Sequence, residues 1–251
     1  MDKDYIEKEL FDTGYKIEVR DCVTSTNLLL KEKAKNGEEE FSVLIASKQT
    51  AGRGRKGRSF FSPDNTGLYM SIILRPQENV NFITITTDAA VACARAIEKI
   101  SGERTQIKWV NDIYIKGKKV CGILAESSLD ENKYIIVGIG VNVLEPKEGF
   151  PDTIKDTAAS MFKESMPYIR EETAVCILKE FMNVYIKGEK ENILKEYRSR
   201  SIITGKDIYI LKNGECEKGY AISIEDDYSL LVRKENGEIQ KISSGDVSVR
   251  I

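Results

Sequence analysis

Apolar and polar residues alternate through Lys16-Ile17-Glu18-Val19-Arg20-Asp21-Cys22, the period of a strand with one buried face. Thr24-Ser25-Thr26-Asn27 then supplies capping side chains ahead of Leu28–Ala34, which predicts a short helix ending near Asn36-Gly37. Ser42–Ser47 predicts a second strand, and Gly67–Leu74 a third that stops before Pro76. The alanine-rich stretch Phe82–Ile100 is apolar enough for a buried helix. Strand patterns return in Gln106–Val110, in Ile113–Ile115 with Val120–Glu126, and in Tyr134–Val143, with Lys116-Gly117-Lys118 as a hairpin turn. Thr173–Ile186 and Lys190–Arg200 read as helices.

The pattern changes at Thr204-Gly205. Short strands follow at Asp207–Leu211, Gly219–Ile224, Ser229–Arg233, Ile239–Ile242 and Asp246–Arg250, with Asn213-Gly214 and Asn236-Gly237 as hairpin turns. The expected fold is therefore α+β: a mixed central sheet with flanking helices over residues 1–203, followed by a small β-barrel over 204–251.

Composition narrows the chemistry. Of 251 residues, 41 % are apolar and 31 % charged, which suits a soluble chain with a substantial core. The N-terminus has no secretory pattern, and no apolar run is long enough to span a bilayer. The five cysteines are scattered without a CxxC pair, as expected of reduced thiols in the cytoplasm. Histidine is absent, which removes Ser-His-Asp and Cys-His nucleophiles and every His-ligated metal site. A net charge of −2 argues against wholesale nucleic-acid binding, although a local basic patch stays open.

One such patch is Gly52-Arg53-Gly54-Arg55-Lys56-Gly57-Arg58. Its glycines match GxGxxG, but a dinucleotide site needs a helix starting there, and Arg58-Ser59-Phe60-Phe61-Ser62-Pro63 is no helix start. A P-loop fails as well, for want of Gly-Lys-Ser/Thr. Glycines that let backbone N–H groups approach an anion, beside arginine forks, suit phosphate; a nucleic-acid contact or a solvated loop is equally open from this run alone.

Two strands carry unusual faces. In Val137–Val143, Ile139, Val141 and Val143 share one face, while Gly138, Gly140 and Asn142 leave the other nearly bare. That bareness suits a ligand or tight helix packing. Lys108, Asn111 and Asp112 interrupt the apolar run Lys108–Ile115. Simple alternation puts Lys119 on the face of Cys121, Ile123 and Ala125, where it either directs its charge at an anion or extends to water.

Taken in order, Ser25-Thr26-Asn27, Gln49 through Arg58, Lys108–Asp112, Lys119 with Gly122-Ile123-Leu124, and Gly138–Asn142 resemble the motif set of biotin protein ligases. The resemblance runs from about Lys16 to Asn142. It implies a central sheet like that of class II aminoacyl-tRNA synthetases, with a C-terminal SH3-like barrel. It also implies activation of biotin with ATP and Mg²⁺ to biotinyl-5′-AMP, and transfer of biotin to a lysine of a biotin carboxyl carrier domain of a carboxylase.

The resemblance assigns roles residue by residue. Ser25, Thr26, Asn27 and Gln49 would hold biotin, with Ser25, Thr26 and Gln49 bonded to its ureido ring. Gly52, Arg53 and Arg55 belong to a loop that closes over biotin and the adenylate, and Gly122, Gly138 and Gly140 let the ligand lie against the sheet. ATP would meet Arg53, Arg55, Arg58, Phe60, Lys108, Asn111, Lys119 and Asn142. Lys119 would sit at the biotin carboxylate and α-phosphate, Arg55 would share the catalytic work, and Asp112 would orient or deprotonate the acceptor lysine. No protein metal ligand is assigned.

Three departures stand out. Val110 replaces the family's usual proline, Phe60 stands where tryptophan commonly stacks on adenine, and only 24 residues precede Ser25. The last leads to the expectation of a ligase without a DNA-binding arm; no DNA or membrane partner is expected, and a homodimer is left open. The rivals are a lipoate or octanoate transferase, whose acyl chain would leave Ser25, Thr26 and Gln49 unpartnered, and a nucleotide- or RNA-binding module using the basic loop.

Overall fold

The computed structural model describes residues 1–76, 82–128, 133–212, 215–243 and 247–250. It begins with a helix that the pattern did not single out, α1 (Lys3–Glu9), capped by the Asp2 carboxylate accepting from Tyr5 N–H at 3.0 Å. Ile6 and Leu10 bury against the body, and Asp2 N–H donates to Glu171 at 2.9 Å.

β1 (Lys16–Val23) and β2 (Ser42–Gln49) pair in parallel across the crossover helix α2 (Thr26–Lys35). The other pairs in the sheet are antiparallel: β3 (Gly67–Leu74), β4 (Thr105–Lys108), β5 (Asp112–Ile115), β6 (Lys118–Ser128) and β7 (Tyr134–Asn142) complete the order β1-β2-β3-β7-β6-β5-β4. The expected mixed sheet is therefore present. The Gln106–Val110 strand is shorter than its pattern: it ends at Lys108, where Trp109–Asn111 turn the chain.

The two faces of this sheet differ in purpose. Met70, Ile72, Cys121, Ile123, Ile139 and Val141 pack with α3 (Phe82–Ser101) and α4 (Ile169–Tyr185) in the main core, where each fully buried aliphatic side chain contributes roughly 1.5–3 kcal/mol. On the opposite face, Leu30 and Ala34 of α2 cover Leu44, Ile73, Tyr134 and Ile136. Further along that face β7 changes to Gly138, Gly140 and Asn142, and helix cover gives way to a cleft.

After α5 (Lys190–Arg200) comes a separate antiparallel sheet of β8 (Asp207–Lys212), β9 (Glu215–Ile224), β10 (Leu230–Lys234), β11 (Ile239–Ile242) and β12 (Val247–Arg250), ordered β11-β10-β9-β8-β12. The Asn236-Gly237 turn is formed, with Gly237 at φ +86°, whereas Asn213-Gly214 lies outside the described residues. Ile208, Ile210, Ala221, Leu230 and Val232 join the same buried cluster as the main sheet. A buried bond fastens the junction, Trp109 Nε1 donating to the Tyr228 carbonyl at 2.9 Å, and within the main body the Tyr197 hydroxyl of α5 donates to the Val110 carbonyl at 3.1 Å.

Candidate functional site

The polar end of the cleft grows from the start of α2. Ser25 is its N-cap in extended backbone, yet its hydroxyl makes no capping bond and instead lines the cleft. Thr26 N–H donates to Gln49 Oε1 at 2.9 Å, and the Gln49 amide donates to Ser62 Oγ at 3.0 Å. Asn27 is fixed through both ends of its amide. Oδ1 accepts from the Ser71 hydroxyl at 2.6 Å, and Nδ2 donates to Glu126 Oε2 at 2.8 Å. Buried amides need such partners, and here protein groups supply them.

The floor is the glycine face. A Cβ at Gly138 would stand 2.1 Å from Asn27 Oδ1, and one at Gly140 would stand 2.6 Å from the Phe60 ring. The bare backbone expected to receive a ligand thus lodges the Asn27 amide at Gly138 and the Phe60 ring at Gly140. Gly122 is the cross-strand partner of Gly140, and a Cβ there would meet Lys119 Nζ at 3.0 Å.

That last contact corrects the expected orientation of Lys119. Strict alternation would put it beside Cys121 and Ile123, which are in the core. The β5–β6 register instead shifts between Ile113↔Cys121 and Tyr114↔Lys119, a bulge that resets the alternation and swings Lys119 to the glycine face. Its ammonium lies 2.7 Å from Asp112 Oδ1, and both groups are partly shielded.

The basic loop closes over this floor. Gly54 N–H donates to the Arg58 carbonyl at 2.7 Å and Phe60 N–H to the Gly52 carbonyl at 2.9 Å, which makes Gly52–Phe60 a small hairpin with a 3-10 turn at Arg55–Gly57. Lys56 and Gly57 take the turn in left-handed backbone, at φ +57° and +71°. Arg55 Nη1 donates to Asn111 Oδ1 at 3.1 Å, while Asn111 Nδ2 donates to the Ile123 carbonyl at 2.7 Å. Burial draws the Arg55 guanidinium below its ordinary range, and Asp112 opposes that shift. It remains charged, as a phosphate or carboxylate partner requires. Arg53 Nη1 pairs with Glu126 Oε1 at 3.1 Å.

The cleft, about 850 Å³ with its mouth, brings together Ser25, Thr26, Asn27, Gln49, Arg53, Arg55 and Arg58 with Phe60, Asn111, Asp112, Lys119, Gly122, Gly138 and Gly140. An adjoining pocket shares Gln49, Phe60 and Lys119 and adds Gly52 and Asn142. Lys108 lines neither pocket; its ammonium lies 5.9 Å from the Tyr114 ring centre.

The sequence reading did not single out Ser71, Ser62 or Glu126. It also passed over the 151–158 segment that walls the second pocket. That segment runs beside Lys119, with Lys119 N–H donating to the Thr157 carbonyl at 2.8 Å, and Asn142 Nδ2 donates to the Ala159 carbonyl at 3.1 Å. Only Glu126 left a trace, as a charge ending the Val120–Glu126 strand. Among the described residues no helix is long and apolar enough to cross a membrane, and no group of three or more Cys, Asp or Glu side chains could hold a metal ion.

Residues 19–142 match the family described as Biotin/lipoate A/B protein ligase. The chain is 34 % identical over 244 residues to the bifunctional ligase/repressor BirA of Bacillus spizizenii, covering 94 % of this chain and 74 % of that one. It is 30 % identical over 233 residues to the biotin–[acetyl-CoA-carboxylase] ligase of Mycobacterium tuberculosis, covering 89 % and 85 %. Among solved structures, the Aquifex aeolicus biotin protein ligase in complex with biotin and ATP superposes with a TM-score of 0.81 at 30 % identity, covering 94 % of this chain and 98 % of that one.

Proposed function

The chain belongs to the biotin/lipoate A/B protein ligase family, and from that premise we infer that it is a biotin protein ligase. It activates biotin with ATP to biotinyl-5′-AMP and transfers biotin to a lysine of a biotin carboxyl carrier domain. In the first step a biotin carboxylate oxygen bonds to the α-phosphorus and pyrophosphate departs. In the second the acceptor amine bonds to the carbonyl carbon, the bond to phosphate oxygen breaks, and AMP leaves.

The observation that carries the reading is that one cleft is lined by Lys119, swung onto the glycine face by the bulge, together with Ser25, Thr26, Gln49 and the arginine loop. Neither step needs an enzyme nucleophile. Both need anions held and developing charge opposed, which Lys119 and Arg55 supply from partly dehydrated positions. In this reading Ser25, Thr26 and Gln49 bind the ureido ring and Phe60 offers a face to adenine. Asn142 stands on the phosphate side, and Asp112 prepares the acceptor amine once Lys119 turns to substrate.

Mg²⁺ belongs to the same proposal. Such ions dehydrate reluctantly and take substrate phosphates with one or two carboxylates, so ATP would supply most of the ligands, with no dedicated cage among the described residues. The ion would neutralise phosphate charge. The C-terminal sheet fits a small SH3-like barrel, with the chain divided into 1–203 and 204–251, and the cytoplasm suits the five free cysteines.

Pyrophosphate release tests the activation step. Release on adding ATP, Mg²⁺ and biotin supports the ligase; release with octanoate alone would move the chain to the acyl transferases. Release with neither acid would overturn the reading.

A further inference from the structure

Glu126 stands on the site face of β6, opposite Ile136, where the arginine loop meets the start of α2. Its two carboxylate oxygens serve different elements. Oε1 pairs with Arg53 of the loop at 3.1 Å, and Oε2 accepts from Asn27 of α2 at 2.8 Å. Asn27 has little room to turn away from that bond, since Oδ1 is held by Ser71 at 2.6 Å and its amide fills the space above Gly138.

We propose that Glu126 is a positioning residue that latches the Gly52–Phe60 loop to the polar end of the cleft, tying loop closure to the placement of Asn27. The proposal rests on the ligase reading, in which the loop keeps the biotinyl adenylate from water. Charge-assisted bonds are the strong ones, and a carboxylate shared by two elements makes the order of one depend on the other. Neutralising Glu126 therefore loosens the loop from a cleft that is otherwise intact, because a glutamine oxygen can still accept from Asn27.

The test forms biotinyl adenylate on the full chain, removes free substrates and follows adenylate escape into solution. Glu126→Gln should speed escape by roughly two- to fivefold, the equivalent of one partly exposed ion pair. The double variant Glu126→Gln/Arg53→Gln should be no faster than Arg53→Gln alone, a coupling that a general loss of stability would not produce. Raised ionic strength should speed escape from the wild type more than from Glu126→Gln, whose remaining salt response comes from the cations that hold the phosphate. The salt response of the wild type keeps the test open should Glu126→Gln fail to fold. Unchanged escape in Glu126→Gln, independent effects that multiply in the double variant, or a salt-insensitive wild type would overturn the latch. A wild type that makes no adenylate would instead overturn the ligase reading beneath it.

Discussion

Gly138→Ala should be among the most disruptive single-methyl additions in the protein. The new Cβ would fall 2.1 Å from Asn27 Oδ1 and 2.8 Å from its Cγ, far inside contact distance. Asn27 is buried and cannot withdraw while keeping its bonds to Ser71 and Glu126. If the amide rotates away, two interior polar groups lose partners at roughly 1–3 kcal/mol each, so a loss of about 2–6 kcal/mol is expected. At about 2–4 °C per kcal/mol for a chain of this size, the melting temperature should fall by about 4–24 °C. Differential scanning calorimetry on Gly138→Ala, Asn27→Ala and the double variant would measure it. Asn27→Ala removes the obstructing amide, so the double variant should be no less stable than Asn27→Ala alone. A Gly138→Ala protein within about 0.5 kcal/mol of wild type, or losses that simply add, would refute the reasoning.

Other expectations concern single groups. Lys119→Ala should slow adenylate formation by about 10²-fold or more, as measured by pyrophosphate release, with little change in melting temperature; wild-type rates would show that the site is misplaced. Asp112→Asn should slow transfer from preformed adenylate to the acceptor lysine, and a normal single-turnover rate would remove Asp112 from that step. Burial pushes the Asp88 carboxyl up to about 7, against the pull of Lys190. Its folded pKa thus lies above the ordinary unfolded value, so the stability it contributes is full below about pH 4 and is lost as pH rises through about 7. Asp88→Asn should flatten that slope in urea denaturation and gain about 1–3 kcal/mol near pH 8, with an unchanged slope as the contrary result.

The strands and the glycine face were legible because alternation is local: Val137–Val143 declares its two sides in its own residues. The orientation of Lys119 was not, since the bulge that turns it belongs to the β5–β6 pairing and leaves no mark in Lys118–Glu126 taken alone. Helix α1 escaped because seven residues with one buried side chain carry too little periodicity. Partnership is the least legible feature. Ser25, Asn27 and Gln49 were marked by the family resemblance, but that Ser71 and Glu126 would claim both ends of Asn27 depends on strands 44 and 99 residues away. The same holds for Trp109 and Tyr197, whose bonds fix the turn before Asp112 from distant parts of the chain.

The central claim is that this cleft joins biotin to a protein lysine through an adenylate. Its most direct test incubates the full chain with ATP, Mg²⁺, biotin and a biotin carboxyl carrier domain, and weighs the domain by intact-protein mass spectrometry. The account predicts a mass increase of one biotinyl group on one lysine, dependent on ATP and on Lys119. An acceptor of unchanged mass, or one modified equally well by the Lys119→Ala protein, would contradict it.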